Sequence, residues 1–80
     1  MTEKFIIIGR SSCPFCVKAV EYCKAKNVEH KFLDYATTPQ ALDEYKTFHN
    51  HRTVPIILAN HLETGLVKKV GGYSDLLEYL

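Results

Sequence analysis

Two cysteines three positions apart, in Cys13-Pro14-Phe15-Cys16, are the residues of this chain best suited to chemistry. A C-x-x-C spacing closes a small disulfide ring with little backbone movement, so it reads as a dithiol redox pair. The motif follows an apolar run, Phe5-Ile6-Ile7-Ile8, and precedes an amphipathic stretch. That context puts Cys13 at a helix N-terminus, where free N–H groups and the helix dipole favour a thiolate. The thiolate is the attacking species in disulfide exchange, which makes Cys13 the expected nucleophile. Arg10 and Lys18 are candidate cations for lowering its pKa. Cys16, one turn deeper on the packed side, is expected to be less reactive and to attack once Cys13 is bound to another sulfur. Pro14 has no N–H to offer either sulfur and suits the first turn of a helix.

The competing reading of two cysteines so spaced is half of a zinc site. Structural zinc needs four ligands. There is no second C-x-x-C, and His49, His51 and His61 lack the usual histidine spacing, so no metal is expected. Cys23 lies seven residues past Cys16 on the same helical face and reads as a small buried core residue. The four histidines show no partner pattern and read as surface residues.

Seven elements are expected to hold the dithiol. Lys4–Ile8 reads as a buried central strand, Gly9–Ser12 as a turn, and Cys13–Lys26 as a helix with Cys16, Val20 and Cys23 on one face and Val17 beside them. Asn27 ends that helix. His30–Asp34 is a second strand. Thr38 caps a second helix, Pro39 opens it, and Asn50 follows its end near His49. Ile56–Leu58 is a third strand, Ala59–Gly65 a turn region, and Leu66–Val70 a hairpin partner. Gly71-Gly72 breaks the strand, and Ser74 caps a last helix with Asp75 in its first turn. A strand, a crossover helix and a second strand imply a right-handed parallel unit. The hairpin adds antiparallel strands. The sum is an α/β protein, a thioredoxin-like fold with a four-stranded mixed sheet and three helices in the order β-α-β-α-β-β-α.

Eighty residues make a single domain, 1–80. A hydrophobic content of 46% supports a core and argues against disorder. A net charge of +1 excludes a strongly basic nucleic-acid binder. The run Phe5–Ile8 is too short to cross a bilayer. Lys4 precedes only four apolar residues with no small-residue cleavage site after them, so no signal peptide is read and a reducing, cytoplasmic location is expected. Three cysteines also fit a disulfide-stapled secreted domain poorly.

Three motifs in order, Cys13-Pro14-Phe15-Cys16, Thr53-Val54-Pro55 and Gly71-Gly72-Tyr73-Ser74-Asp75, resemble the glutaredoxin family over essentially the whole chain. The resemblance implies a glutathione-dependent thiol–disulfide oxidoreductase acting through Cys13 and Cys16 on protein disulfides and glutathione mixed disulfides. It implies glutathione as reductant, a monomer, and client proteins that include ribonucleotide reductase. It also implies a glutathione site. Arg10, and Lys46 or Arg52, would meet carboxylates, and Phe15 would form an aromatic wall. Thr53 and Val54 would present backbone to the cysteinyl part beside a cis Pro55. Gly72, Ser74 and Asp75 would take the γ-glutamyl end, with Asp75 pairing with its amino group. The chain departs from the family pattern in three places. Phe15 stands where tyrosine is commoner, Leu42 stands near a polar contact of some members, and Ile56–Val70 is longer, which makes Leu62–Gly65 an extra hairpin tip. Two alternatives stay open. One is a redoxin recharged by thioredoxin reductase, against which Ser74 and Asp75 argue; the other is an iron–sulfur cluster carrier, which the Cys-Pro-Phe-Cys site disfavours.

Overall fold

The computed structural model describes residues 3–80. Its elements are β1 (Glu3–Gly9), α1 (Pro14–Ala25), β2 (His30–Asp34), α2 (Pro39–Phe48), β3 (Ile56–His61), β4 (Val67–Gly71) and α3 (Tyr73–Tyr79). The strands form one mixed sheet in the order β2-β1-β3-β4. β1 pairs parallel with β2 and antiparallel with β3, and β3 pairs antiparallel with β4. The element order and the mixed sheet are those expected from the sequence.

Successive side chains of a strand point to opposite faces, so an uninterrupted apolar run serves a sheet covered on both sides. Phe5 and Ile7 of β1 join Ile57 and Ala59 of β3 on one face, packed with Ala19 and Cys23 of α1 and Leu76 of α3. Ile8 joins Ile56 and Leu58 on the other face, packed with Leu42 of α2 and with Ile6, Leu33 and Val54. The result is three layers, with α1 and α3 on one side of the sheet and α2 on the other. Full burial of each such side chain is worth roughly 1.5–3 kcal/mol, which is how a chain of this size holds a defined shape.

Both longer helices end as their asparagines imply. Asn27 and Asn50 take φ of 55° and 51°, the left-handed region that asparagine tolerates. The next N–H then reaches back into the helix, from Val28 to the Cys23 carbonyl at 3.1 Å and from His51 to the Lys46 carbonyl at 2.9 Å. Thr38 stands at the N-cap of α2 and Pro39 at its first turn.

Four local expectations are corrected. β3 runs on to His61 rather than stopping at Leu58, because its edge pairs with both β1 and β4, and the turn shrinks to the residues before Val67. Ala19, not Val17, shares the buried face of α1 with Cys16 and Cys23, while Val17 is exposed. Gly72, not Ser74, caps α3; Ser74 lies inside the helix, and the Asp75 carboxylate accepts the Gly72 N–H at 2.9 Å. All four histidines are half-buried rather than on the surface.

Candidate active site

Cys13 occupies the N-cap of α1, at the end of the loop that leaves β1. Its N–H bonds to the Arg10 carbonyl at 3.1 Å, a turn that folds Arg10 back toward the sulfur. The loop is also tied from outside. The Asp34 carboxylate, at the end of β2, accepts the N–H of Ser11 and of Ala36, each at 3.0 Å. Those two donors hold the Asp34 carboxyl below its ordinary pKa. The dithiol loop is therefore fixed by a strand on one side and a helix on the other.

The two thiols of the motif sit in opposite environments. Burial pushes the Cys13 thiol up, but N–H donation from Cys16 and Phe15, the Cys16 thiol and the Arg10 charge outweigh it, and the net shift is downward. Cys16 is fully buried, and burial, reinforced by the neighbouring Cys13 sulfur, pushes its thiol up to about 11. Cys13 is thus the easier of the two to ionise and Cys16 the harder, the split that disulfide exchange requires of an attacking and a resolving sulfur. Cys23 is fully buried too, and burial alone raises its pKa, as expected of a core residue. Lys18 plays no part in this balance: its ammonium lies over the Phe15 ring, 5.3 Å from the ring centre. Arg10 is the cation that acts.

Beside Cys13 opens a cleft of about 560 Å³. One wall is the segment Arg52-Thr53-Val54-Pro55, with a cis peptide bond before Pro55 and the Val54 carbonyl oxygen 4.0 Å from the Cys13 sulfur. The far wall is Gly72, Tyr73, Ser74 and Asp75 at the start of α3. Phe15 and Tyr73, with ring centres 6.0 Å apart, form an aromatic lip over it. Arg10, Lys46 and Arg52 bring positive charge, and Asp75 brings the negative charge. Gly71 is required here by close approach as well as by its φ of 124°, since a Cβ on it would overlap the Asp75 carboxylate.

The structure brings together around this cleft every residue the sequence suggested for it: Arg10, Cys13, Phe15, Arg52 to Pro55, Gly72, Ser74 and Asp75, with Cys16 directly behind Cys13. Leu42 is not among them; it is buried under the sheet against Ile8 and Ile56. Lys46, one turn further along α2, reaches the cleft instead. The residue that sequence reasoning missed is His51, which lines the cleft with a buried Nε2. Its signal was its place in the chain, directly before the Arg52–Pro55 wall. Among the described residues no cluster of three or more His, Cys, Asp or Glu is arranged to hold a metal ion. No described helix is long and apolar enough to cross a membrane.

The glutaredoxin family model matches residues 5–61, which include the dithiol, the Thr53-Val54-Pro55 wall and the first three strands. The chain belongs to the glutaredoxin family. No match is found among curated proteins. Among solved structures, a wheat glutaredoxin superposes with a TM-score of 0.77 at 22% identity, covering 92% of this chain and 67% of that one. Glutaredoxin 1 from Francisella tularensis, complexed with cacodylate, gives a TM-score of 0.65 at 23% identity over 95% of this chain and 90% of its own. A Brucella melitensis glutaredoxin gives 0.65 at 23%, over 94% and 75%. At these identities the likeness is one of fold: the layers and strand order are kept while most side chains differ. Family membership and the divided pair of thiols make this glutaredoxin a thiol–disulfide oxidoreductase.

Proposed function

We propose that glutathione is the reductant of this oxidoreductase and that its substrates are protein disulfides and glutathione mixed disulfides. The observation that carries the reading is the charge layout of the cleft. Glutathione has a carboxylate at each end and an ammonium at one of them. Arg10, Lys46 and Arg52 supply cations for carboxylates, and Asp75 supplies an acid for the ammonium. Cys13 lies on the wall between, where the central sulfur of the tripeptide would rest.

The reaction then runs in two exchanges. The Cys13 thiolate attacks one sulfur of the client disulfide, forming a mixed disulfide and releasing the other client sulfur as a thiolate, which takes up a proton. Cys16 loses its proton and attacks the Cys13 sulfur, releasing the second client thiol and closing Cys13–Cys16. Two of the causes that raise the Cys16 pKa come from Cys13. Both weaken once Cys13 is bound in a mixed disulfide, so Cys16 becomes easier to ionise at the moment it is needed. Two glutathione molecules then reopen the ring and leave as glutathione disulfide. With a glutathione mixed disulfide as substrate, Cys13 takes up the glutathionyl group and a second glutathione removes it. Ribonucleotide reductase, the client that the family resemblance implies, falls in this class of protein disulfide.

The test is reduction of a glutathione mixed disulfide with glutathione, glutathione reductase and NADPH as the electron source. Cys13→Ser abolishes turnover, and Asp75→Ala raises KM for glutathione about tenfold, the loss of one charge-assisted contact. Full activity in Cys13→Ser would sink the mechanism. Turnover supported by thioredoxin reductase and not by glutathione would replace the reductant.

A further inference from the structure

Asp34 ends β2 and pairs in the parallel register with Gly9, the last residue of β1. One of its carboxylate oxygens accepts two N–H groups, from Ala36 and from Ser11, each at 3.0 Å. The first closes a local turn of the kind an aspartate makes with its own following backbone. The second does not belong to that turn. It reaches 23 residues back along the chain, into the loop that carries the dithiol. Asp34 is exposed, so solvent would satisfy its carboxylate, and burial does not impose the bond to Ser11.

That bond completes a set of anchors around one residue. The Gly9 carbonyl accepts the Tyr35 N–H at 2.8 Å, the Ser11 N–H goes to Asp34, and the Arg10 carbonyl accepts the Cys13 N–H at 3.1 Å. Arg10 lies between the first two anchors and takes part in the third. With the peptide groups on either side of it held, its backbone is fixed, and so is the direction in which its side chain leaves. That direction leads into the cleft beside Cys13. Burial disfavours the Cys13 thiolate, the donors of Cys16 and Phe15 favour it, and the Arg10 charge adds the last and smallest share. A share of this kind falls with distance, so a guanidinium on a loosened loop would lose it. The charge of Asp34 itself does not act on Cys13.

We infer that Asp34 is a positioning residue for the nucleophile: by holding the Ser11 N–H it keeps the Arg10 guanidinium close to the Cys13 sulfur. It touches neither the substrate nor the reacting sulfur and acts through Arg10. The direction of the effect separates this role from simple electrostatics. A carboxylate acting through space disfavours a nearby thiolate, so removing it would make Cys13 easier to ionise. A carboxylate acting through the loop favours the thiolate, so removing it makes Cys13 harder to ionise.

The test is iodoacetamide alkylation of the reduced protein across pH, which reads the ionisation midpoint of Cys13. It is run on wild type, Asp34→Ala, Asp34→Asn, Arg10→Ala and the double variant Arg10→Ala/Asp34→Ala. Alanine removes the acceptor, and the midpoint rises by about 0.3–0.5 pH units, a roughly two- to threefold smaller thiolate fraction below the midpoint. Asparagine keeps an acceptor oxygen without the charge and stays within about 0.2 of wild type. In the Arg10→Ala background, Asp34→Ala moves the midpoint no further, because the cation it positions is gone. Hydrogen exchange needs no variant: in wild type the Ser11 amide exchanges at least about tenfold more slowly than in an unstructured peptide of the same sequence. An Asp34→Ala midpoint that falls or stays at the wild-type value overturns the inference. So does an asparagine variant that rises as far as alanine, or a further rise in the Arg10→Ala background. Ser11 exchange at the peptide rate overturns it as well, and decides the matter should Asp34→Ala not fold.

Discussion

Gly9 is the last residue of β1 and the floor beneath the resolving cysteine. A Cβ at this position would fall well inside 3.0 Å of the Cys16 sulfur, 3.4 Å from the Cys16 Cβ and 3.8 Å from the Phe32 ring. The sulfur thus occupies the space that any other residue would fill with its own side chain. In Gly9→Ala the sulfur must swing to another rotamer, or α1 must lift from β1. Neither is easy, because Cys16 is fully buried. Overpacking of this kind costs about 1–3 kcal/mol. For a domain of this size each kcal/mol lowers Tm by roughly 4–8 °C, so the expected loss is about 5–20 °C. The assay is thermal unfolding followed by circular dichroism, repeated in a Cys16→Ala background. There the overlapping sulfur is gone and only the 3.4 Å contact with the Cys16 Cβ remains, so the same substitution costs far less, with a coupling energy of at least about 1 kcal/mol. Gly9→Ala unfolding at the wild-type temperature, or losing equal stability in both backgrounds, would refute the reasoning.

Four further outcomes follow from the geometry of the thiols and the contact between α3 and β1. Iodoacetamide modifies Cys13 alone in the native protein, at a rate that rises with pH and is half-maximal below 9.0, the ordinary thiol value, because only the thiolate reacts; the Cys16 thiol contributes only as pH nears 11. Arg10→Ala moves the Cys13 midpoint upward, and a midpoint that does not move would exclude the guanidinium as a cause. Cys16→Ser keeps turnover of glutathione mixed disulfides, which Cys13 handles alone, and loses turnover of protein disulfides; equal loss of both in a steady-state assay would contradict the division of roles. Tyr79→Phe removes the hydroxyl that donates to the Glu3 carboxylate at 2.6 Å and lowers stability by about 1 kcal/mol, read from urea unfolding.

Much of the scaffold is written locally. The apolar run Phe5–Ile8, the alternation of His30–Asp34, Pro39 at a helix start and asparagines at two helix ends each depend on neighbours a few residues away, and each element formed where those signals stand. Where local signals competed, the wider structure chose. Ser74 is a good capping residue in isolation, yet Gly72 caps α3 because the Asp75 carboxylate reaches its N–H. β3 passes its predicted end because strands on both sides offer it partners. Val17 and Ala19 are close in the chain and both apolar, and only the direction of the sheet beneath α1 selects Ala19 for burial.

The chemistry divides in the same way. The spacing of Cys13 and Cys16, with a helix behind them, determines that a dithiol can form and which sulfur is at the helix end, since both facts follow from one turn of backbone. The chain order of the three motifs named the residues of the cleft. Their charges could not be weighed until the sheet set positions 10, 46, 52 and 75 around one sulfur. The same holds for the thiols: it is burial under β1 that drives Cys16 to about 11 and leaves Cys13 as the one ready to ionise. His51 shows the division most clearly. Its residue type was visible from the start, but an unpaired buried nitrogen exists only once α2, β4 and α3 have closed around it, because burial and electrostatic surroundings are properties of the assembled fold and not of the neighbours in sequence.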